Sequence, residues 1–312
     1  MQSRPDLIGF GAVAVDDLLY LDNYPKPDSK IRVKKHLRLG GGLAGTALVA
    51  AARLGAKPAY FGVLGNNDLS TFTRIEFRNE KVNTDICVHK DRAKPLHSII
   101  LVDNKNGSRT ILFSTKDFSV PSKRDISPNH FKQCRMIFID TFASPIFAHV
   151  CEIAKSLNIP ILADIEDIAI HSHNSVMDNI DHLIFNKYYA QQITGFSDPK
   201  TILNSLETKH RKATVITAGE KGCWFKEYNK PVLYLRAFPI TAVDTTGCGD
   251  VFHGAYAAAI LRGSSIEIAV LQAAAAAAIK ATQPGGRQGI PNLVELQHFI
   301  SKNNDVHSEE IC

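Results

Sequence analysis

Short apolar runs alternate with segments of helical period along most of the chain. The runs are rich in β-branched and aromatic residues, which is typical of buried strands. They occupy residues 7–13, 59–63, 136–139, 159–163, 183–185 and 214–217. The patterns between them predict helices over residues 45–54, 68–79 and 145–157. This alternation predicts an α/β core, in which a mainly parallel sheet is covered by helices on both faces.

Two stretches interrupt the alternation. Residues 22–35 and 87–113 mix polar with β-branched residues, carry turn signals such as Asn106-Gly107 and show no helical period. They predict a separate small sheet, which we interpret as a lid over a site, although decorative hairpins would leave the same pattern. We expect one domain over the whole chain. Its lid segments would span approximately residues 14–37 and 87–117.

Composition and charge narrow the class of protein. The chain has 312 residues, of which 45% are hydrophobic and 21% charged, as in an ordinary globular protein. Its net charge is +5 and its basic residues are scattered, so we expect no nucleic-acid partner. The six cysteines form no C-x-x-C pair, and the N-terminus lacks the apolar stretch of a signal peptide. We therefore expect a cytoplasmic protein without a membrane partner.

The C-terminal part of the chain predicts two consecutive helices. The first begins at Asp250 and ends before Gly263, a residue suited to the left-handed conformation that follows many helices. Ser264 and Glu267 predict a capping box at the start of the second helix. The alanines of this second helix would allow very close packing, either against a neighbouring helix or against a flat ligand.

Residues 242–250, with the sequence Ala-Val-Asp-Thr-Thr-Gly-Cys-Gly-Asp, carry the most specific chemical signal. They predict a strand end that passes through a glycine turn into a helix. Gly247 and Gly249 permit backbone angles at which successive N–H groups converge on an anion, and the helix start adds partial positive charge. A carboxylate beside such an anion hole indicates a general base, Asp250. The alternative is that Asp250 is only a favourable charge at a helix N-terminus.

A base beside an anion hole is the minimum that phosphoryl transfer requires. The attacking hydroxyl loses a proton while negative charge spreads over the phosphoryl oxygens. A positioned base contributes about 10²- to 10⁴-fold in rate, and a good oxyanion donor contributes about 3 kcal/mol. The segment therefore predicts a kinase.

The same segment resembles the D-T-x-G-A/C-G-D signature of the ribokinase-like, or PfkB-type, carbohydrate kinases. The resemblance implies a ribokinase-like three-layer α/β core with a small β-sheet lid, and the use of ATP with Mg²⁺. It implies that Asp250 is the catalytic base and that Gly247, Cys248 and Gly249 form the anion hole. Thr245 and the two glycines would also contact the nucleotide.

The resemblance extends over nearly the whole chain and implies a set of substrate-binding residues. They lie at the end of the first strand, in a glycine segment and in the lid: Asp16, Asp28, Gly41, Gly42, Thr46 and Arg109. Thr46 stands where the family usually has Asn. Arg109 could clamp an anionic substituent through its planar guanidinium, or it could be a solvated charge at a hairpin end.

The nucleotide-binding residues implied by the resemblance are Asn186, Thr217, Gly219 and Gly222, together with the signature turn. The metal ligands are less defined, because Tyr189 stands where the family has an acid that organises Mg²⁺. We expect Asp244 to contribute, with Asp164 and Glu166 as alternatives. Residues 283–289 match the family's adenine and monovalent-cation loop only by position, which leaves activation by K⁺ open.

We expect an ATP-dependent phosphotransferase that acts on a hydroxyl of a sugar or sugar-like molecule. Residues 24–32 and 106–111 are similar to ketohexokinases, and residues 283–287 to sulfofructose kinases, which favours a ketose such as fructose or a derivative. The alternatives are a nucleoside kinase and a catalytically weak or inactive regulator, the latter because of Thr46 and Tyr189. We also expect a homodimer joined through the lid, since an isolated small sheet exposes unpaired edges.

Overall fold

A computed structural model describes residues 5–105, 108–166 and 177–311 of the chain. The strands, in chain order, are β1 (Leu7–Phe10), β2 (Ala14–Leu21), β3 (Lys35–Gly41), β4 (Pro58–Tyr60), β5 (Val63–Leu64), β6 (Val88–His89), β7 (Leu96–Asp103), β8 (Arg109–Ser114), β9 (Met136–Asp140), β10 (Ile161–Asp164), β11 (His182–Asn186), β12 (Ala213–Thr217), β13 (Cys223–Glu227), β14 (Val232–Leu235) and β15 (Ser308–Glu310). The helices are α1 (Leu43–Arg53), α2 (Asp68–Asn79), α3 (Phe147–Leu157), α4 (Lys187–Thr194), α5 (Pro199–Ser205), α6 (Cys248–Leu261), α7 (Ile266–Ala281) and α8 (Leu293–Lys302).

A nine-stranded sheet forms the centre of the molecule, with the order β15-β14-β13-β12-β11-β10-β9-β1-β4. The six strands from β4 to β12 in this order pair in parallel, and β13, β14 and β15 add an antiparallel edge. Every apolar run that predicted a strand of the core overlaps one of the parallel strands. The predicted α/β fold class, with a mainly parallel sheet, is confirmed.

Helices cover both faces of this sheet because successive side chains of each strand point to opposite faces. On one face, Leu7, Phe138 and Val215 pack with the alanine-rich helices α1, α6 and α7. On the other face, Ile8 and Ile139 pack with α3, α4 and α5. The result is the three-layer core that the sequence predicted.

The close packing expected from the small residues occurs between helices. A Cβ atom on Gly254 of α6 would lie 2.0 Å from the carbonyl oxygen of Ala47 in α1, so only glycine permits this approach.

The start of α7 differs from expectation by one residue. Ser265, rather than Ser264, caps α7, and its hydroxyl accepts a hydrogen bond from the Ile268 N–H.

A four-stranded sheet with the order β3-β2-β7-β8 lies beside the core. Strand β2 pairs antiparallel with β3 and parallel with β7, and β7 pairs antiparallel with β8. The smaller sheet is thus confirmed, but the expectation that residues 22–35 would carry β structure is wrong for nearly all of that segment. It forms an exposed connection between β2 and β3, which are the strands of the small sheet on either side of it. Asn106-Gly107 lies outside the described residues.

Polar residues collect at one edge of the large sheet, where the parallel strands end. Asp140 ends β9 and is in register with Asp164 at the end of β10. Asn186 ends β11 and is in register with Thr217 at the end of β12. In open α/β sheets, ligands bind outside the carboxyl ends of the strands, so this edge positions the candidate site.

Within the described ranges, we find no helix with both the length and the apolar character needed to cross a membrane. The expected cytoplasmic location stays a prediction.

Candidate active site

The signature turn lies at the start of α6 and faces solvent rather than packed interior. Gly247 has φ 75°, a left-handed conformation that favours glycine, and serves as the N-terminal cap of the helix. The preceding residues are irregular chain, not the predicted strand end, and most are exposed, with Val243 at 63%. They are held by the N–H groups of Val243 and Asp244, which donate to Ala281 O at 2.7 and 3.1 Å.

The first turn of α6 offers backbone donors to an anion. The Cys248 N–H closes the turn by donating to Thr245 O at 3.2 Å, and the Val251 N–H donates to Gly247 O at 2.9 Å. Within the described residues, the N–H groups of Gly249 and Asp250 make no backbone hydrogen bond. A Cβ atom on Gly249 would have no heavy atom within 4 Å, so this flank is open. These two N–H groups, more than that of Cys248, are placed to bind an anion.

Asp250 is half-buried in the same turn, and several acids surround it. Burial raises the pKa of Asp250, and the negative charge of Asp164 raises it further, whereas His253 acts in the opposite direction. Asp164 is itself buried, and its pKa is raised by burial and by the charge of Glu166. A carboxyl group with a raised pKa holds a proton more strongly than ordinary aspartate, which suits a general base.

His253 was not identified from the sequence, although it follows Asp250 by one helical turn. Its Nδ1 lies 2.8 Å from Gly249 O and 3.4 Å from Asp164 Oδ2, and its Nε2 lies 3.1 Å from Ile184 O. The ring therefore ties α6 to the ends of β10 and β11. It fixes the orientation of the helix turn that carries Asp250.

Asp140 is a second residue that the sequence analysis missed. Its buried carboxylate accepts hydrogen bonds from the N–H groups of Ala12 (2.8 Å), Ala44 (3.0 Å) and Phe142 (2.8 Å). Burial raises the pKa of Asp140 to about 7 even though these hydrogen bonds oppose the shift. Asp140 could have been identified from the sequence because it comes directly after an apolar run that predicts a strand. Asp140 holds together the chain segments that precede Asp16 and follow the triple glycine.

The predicted substrate residues Asp16, Gly41 and Gly42 come together at the junction of β2, β3 and α1. A Cβ atom on Gly41 would lie 2.4 Å from Asp16 Oδ2, and one on Gly42 would lie 2.6 Å from Ala12 O. Gly42 also has φ 85°. Burial raises the pKa of Asp16, whereas a hydrogen bond from Ser98 and the charge of Arg287 lower it. The glycines therefore leave room for the Asp16 carboxylate at the mouth of the lid.

Arg287 lies on the other side of the glycine segment and is a further residue not singled out from the sequence. Its guanidinium is 7% exposed and donates to Gly41 O at 2.6 Å. Cβ atoms on Gly40 and Gly45 would lie 2.2 and 2.4 Å from its terminal nitrogens. The three glycines thus admit a buried guanidinium that fixes the segment from behind.

Thr46 belongs to this packing rather than to an open substrate surface. It is 1% exposed, and its hydroxyl lies 3.4 Å from Arg287 Nε, from which it accepts a hydrogen bond. The geometry therefore does not support a direct substrate contact for Thr46. Thr46 stands where the family usually has Asn, and its partner there is Arg287. The sequence pattern could not show this contact.

In the sugar kinase that the sequence predicts, replacing Arg287 with methionine should weaken sugar binding more than ATP binding. The substitution leaves the Gly41 carbonyl without its charged donor, a hydrogen bond of about 1.5–3 kcal/mol. We expect a lower free energy of unfolding, a KM for sugar raised about tenfold and a KM for ATP changed less than about twofold. Urea unfolding and steady-state kinetics measure these quantities.

Arg236→Met is the matched control, because Arg236 is an exposed arginine whose partner is Asp305. It should change neither KM. Equal increases in the two KM values for Arg287→Met would contradict a role in holding the glycine segment.

The small sheet touches the signature segment through Arg109. The Arg109 guanidinium on β8 donates to Asp244 Oδ1 at 2.8 Å and to the Thr246 hydroxyl. Asp28, by contrast, lies in the exposed β2–β3 connection with φ 58°, and no contact among the described residues joins it to Asp16. The geometry supports Arg109 at the site and does not support Asp28.

Asp244 is not arranged as a metal ligand. Besides Arg109, its carboxylate accepts hydrogen bonds from the N–H groups of Thr246 (2.9 Å) and Gly285 (2.9 Å). Burial pushes the pKa of Asp244 upward, but these hydrogen bonds bring it to about 2. No three His, Cys, Asp or Glu side chains in the described part of the chain form a metal cluster. The expectation that Asp244 binds Mg²⁺ is therefore not supported by the geometry.

The predicted nucleotide residues lie along the sheet edge next to the turn. The Asn186 side chain caps α4 by accepting from the Tyr189 N–H at 2.8 Å, and the Thr217 hydroxyl lies 3.4 Å from Phe185 O. Gly219 has φ 56° and open space beside it. Gly222 has φ 77°, and a Cβ atom there would lie 2.2 Å from Leu235 O, so its glycine serves the close packing of the β12–β13 turn.

Tyr189, which stands where the family has an acid, does not face the site. It is 3% exposed and packs in the core, with its ring 6.1 Å from that of Phe185. This burial does not support Tyr189 as a substitute for that acid. A cavity of about 700 Å³ beside α7 and α8 has no residue of the 242–250 segment among its described lining, so it is separate from the signature turn.

Comparison with known proteins identifies the family. The family model described as pfkB family carbohydrate kinase matches residues 7–293. The chain belongs to this family. The kinase is 24% identical over 308 residues to the ribokinase of Haemophilus influenzae, which covers 95% of this chain and 99% of that protein. It is also 24% identical over 310 residues to the nucleoside kinase of Methanothermobacter thermautotrophicus, covering 95% of each.

Solved structures show the same fold. The ribokinase of Arabidopsis thaliana, complexed with ribose and ATP, superimposes with a TM-score of 0.83 at 21% identity, covering 96% of the kinase and 99% of that chain. The ribokinase of Thermotoga maritima gives a TM-score of 0.81 at 22% identity, covering 95% and 99%. The kinase therefore has the ribokinase-like fold, and the predicted family is confirmed.

Proposed function

We propose that the kinase transfers the γ-phosphoryl group of ATP to a hydroxyl of a sugar, and that a ketose such as fructose or a derivative is the first acceptor to test. The observation that carries this proposal is the first turn of α6. There the N–H groups of Gly249 and Asp250 make no backbone hydrogen bond within the described residues, Gly249 has open space beside it, and the half-buried Asp250 carries its carboxylate in the same turn. A base and an anion hole within one helical turn match the two demands of phosphoryl transfer.

Each residue then has a defined part in the reaction. Asp16 accepts hydrogen bonds from hydroxyl groups of the sugar and orients one of them toward Asp250. Asp250 accepts the proton of that hydroxyl as its oxygen bonds to phosphorus. The N–H groups of Gly249 and Asp250 stabilise the negative charge on the phosphoryl oxygens. Thr217, Gly219 and Asn186 line the neighbouring edge, where the rest of the nucleotide binds.

The residues suited to Mg²⁺ are Asp164 and Glu166 rather than Asp244. Asp164 is the last residue of β10 and Glu166 lies two residues after it, and the negative charge of each raises the pKa of Asp250. Mg²⁺ prefers carboxylate oxygens, phosphate oxygens and water, so two acids near the proposed base would suit the ion. When bound, the ion neutralises charge on the ATP phosphates. The Arg109 contact with Asp244 and Thr246 joins the small sheet to the signature segment, which supports a lid role for this sheet.

A panel of acceptors tests the proposed function. Purified kinase is mixed with Mg·ATP and with ketoses, aldopentoses, deoxyribose, nucleosides, sugar acids and sugar phosphates, and ADP release is measured. We expect a ketose to give the highest kcat/KM. A nucleoside kinase is the second candidate, because a nucleoside kinase is among the relatives of similar length. If no member of the panel causes ADP release, the proposal is contradicted.

We further propose that two copies of the kinase pair through the outer strand of the lid. Strand β8 is an edge strand, and its residues Ile111, Leu112 and Phe113 are 55%, 55% and 67% exposed. An exposed apolar edge strand is a site of strand pairing. Light scattering after gel filtration should give a dimer, and Leu112→Glu with Phe113→Glu should give a monomer.

Val294→Glu is the control for the dimer test, because Val294 is a single apolar residue on α8 with 75% exposure. It should leave the dimer intact. A monomer in the unmodified kinase would contradict pairing through the lid.

A further inference from the structure

Lys280, in the last turn of α7, is an unusual residue because its side chain has no exposure to solvent. Its ammonium donates to the main-chain oxygen of Asp244 at 2.7 Å. Within the described residues, no carboxylate oxygen lies within 4 Å of it. Burying an ammonium group is unfavourable unless nearby groups stabilise its charge. The surroundings of Lys280 must therefore supply that stabilisation.

Those surroundings belong to the signature segment. Burial lowers the pKa of Lys280, whereas the nearby Cys248, Asp244 and Asp250 favour its charged form and Arg109 opposes it. The C-terminal end of α7 also carries partial negative charge, which favours a cation there. The Ala281 carbonyl next to Lys280 holds the Val243 and Asp244 N–H groups. A positive charge is thus fixed behind the turn that carries the anion hole.

We propose that the Lys280 ammonium is the resident cation of this turn, and that the kinase consequently needs no potassium ion. This inference rests on the proposed kinase reaction. A K⁺ site is built from several oxygens, chiefly carbonyls, that replace the hydration shell of the ion. Here the Asp244 carbonyl already accepts from Lys280, and the Asp244 carboxylate is taken by Arg109, Thr246 and Gly285. Lys280 is a positioning residue, since it acts through the Asp244 backbone and through its charge.

The first test uses the unmodified kinase. Its phosphorylation rate is measured in potassium, sodium and tetramethylammonium chloride at equal ionic strength. We expect rates that agree within about twofold, because a resident ammonium leaves no site for an ion to fill. Activation of about tenfold or more by potassium would overturn the proposal. This test does not depend on any variant being folded.

The second test removes the charge. Lys280→Met should lower kcat by at least about tenfold with little change in the KM for sugar, because a fixed charge near the transferred group acts mainly in the transition state. Ammonium or potassium ions, but not tetramethylammonium, should restore part of the lost rate. Lys302→Met is the matched control, an exposed lysine on α8, and should show neither effect.

Melting midpoints separate failure of this inference from failure of the proposed reaction. Ammonium or potassium ions should raise the midpoint of Lys280→Met, relative to tetramethylammonium, and should leave that of the unmodified kinase unchanged. The measurement of the melting midpoint needs no sugar substrate. An unchanged kcat in Lys280→Met, or a loss that is the same in every salt, would overturn the role of Lys280.

Discussion

Replacing Asp250 with asparagine should lower kcat by about 10²- to 10⁴-fold, the contribution of a positioned general base. Asparagine has nearly the same shape but cannot accept the proton of the attacking hydroxyl. The N–H groups of Gly249 and residue 250 remain, so we expect the dissociation constant of ATP to change less than about twofold. ADP release measures the rate, and calorimetric titration measures ATP binding. A variant that keeps more than a tenth of the rate would contradict Asp250 as the base.

The same variant should not be less stable than the unmodified kinase at neutral pH. The pKa of Asp250 is raised by burial, so the folded state binds a proton more strongly than the unfolded state. As the pH rises above the unfolded pKa of 3.8 toward the higher folded pKa, this difference lowers the free energy of unfolding. Asparagine carries no such charge. We therefore expect an equal or higher melting midpoint, as is usual when strain at an active site is removed.

Glu152→Gln is the control for both measurements. Glu152 lies on α3, on the other side of the large sheet, and its side chain is 77% exposed. It should change neither kcat nor the melting midpoint. A loss of stability in Asp250→Asn but not in the control would show that the Asp250 carboxylate supports the fold, which the geometry does not predict.

The parts of the fold that could be predicted from sequence are those determined by local patterns. A buried parallel strand is a short apolar run, so residues such as Ile137 and Val215 indicate their strands directly. The turn at Gly247 was predictable for a similar reason, because a left-handed backbone, a helix start and a carboxylate occur within four residues of each other. The connection over residues 22–35 was assigned wrongly, because its turn signals were clear but its flanking strands lie outside that window.

The parts that could not be predicted depend on contacts between distant segments. Arg287 and Gly41 are far apart in the chain, and no local pattern shows that one donates to the other. Whether a side chain is buried or faces a site is equally difficult to predict from the sequence. Tyr189 and Thr46 occupy positions where the family has polar groups, yet the structure buries both side chains, at 3% and 1% exposure. Position in the sequence therefore does not show whether such a residue reaches the site.

Lys280 shows how the same limit affects an ionisable group. In the sequence it is one basic residue at the end of an alanine-rich helix, where exposure would be usual. Only the packing of α6 against α7 places its ammonium beneath the Asp244 carbonyl. The signature segment is consequently held by charges from two elements, Arg109 of the lid and Lys280 of the core. The small sheet and the core therefore contact the same stretch of backbone, which leads into the proposed anion hole.

Strand β2 provides the last and most selective prediction, because Asp16 and Asp17 are adjacent and point to opposite faces of the small sheet. Asp16 faces Gly41, whereas Asp17 accepts hydrogen bonds from Arg38, with further bonds to His36 and His97. Asp16→Asn should raise the KM for sugar about 10- to 100-fold, the loss of charged hydrogen bonds worth about 1.5–3 kcal/mol. The KM for ATP should change less than about twofold.

Asp17→Asn is the internal control and should have the reverse profile. The hydrogen bond from Arg38 holds the pKa of Asp17 well below 3.8, so its charge stabilises the fold above that pH, and the stabilisation is lost as the pH falls. We expect Asp17→Asn to lower the melting midpoint at neutral pH and to leave the KM for sugar unchanged. We expect Asp16→Asn to raise the KM for sugar without lowering the melting midpoint. Because the two residues share one strand, a general disturbance of the lid would affect both variants alike. Only a substrate site on the Asp16 face predicts that the two effects separate.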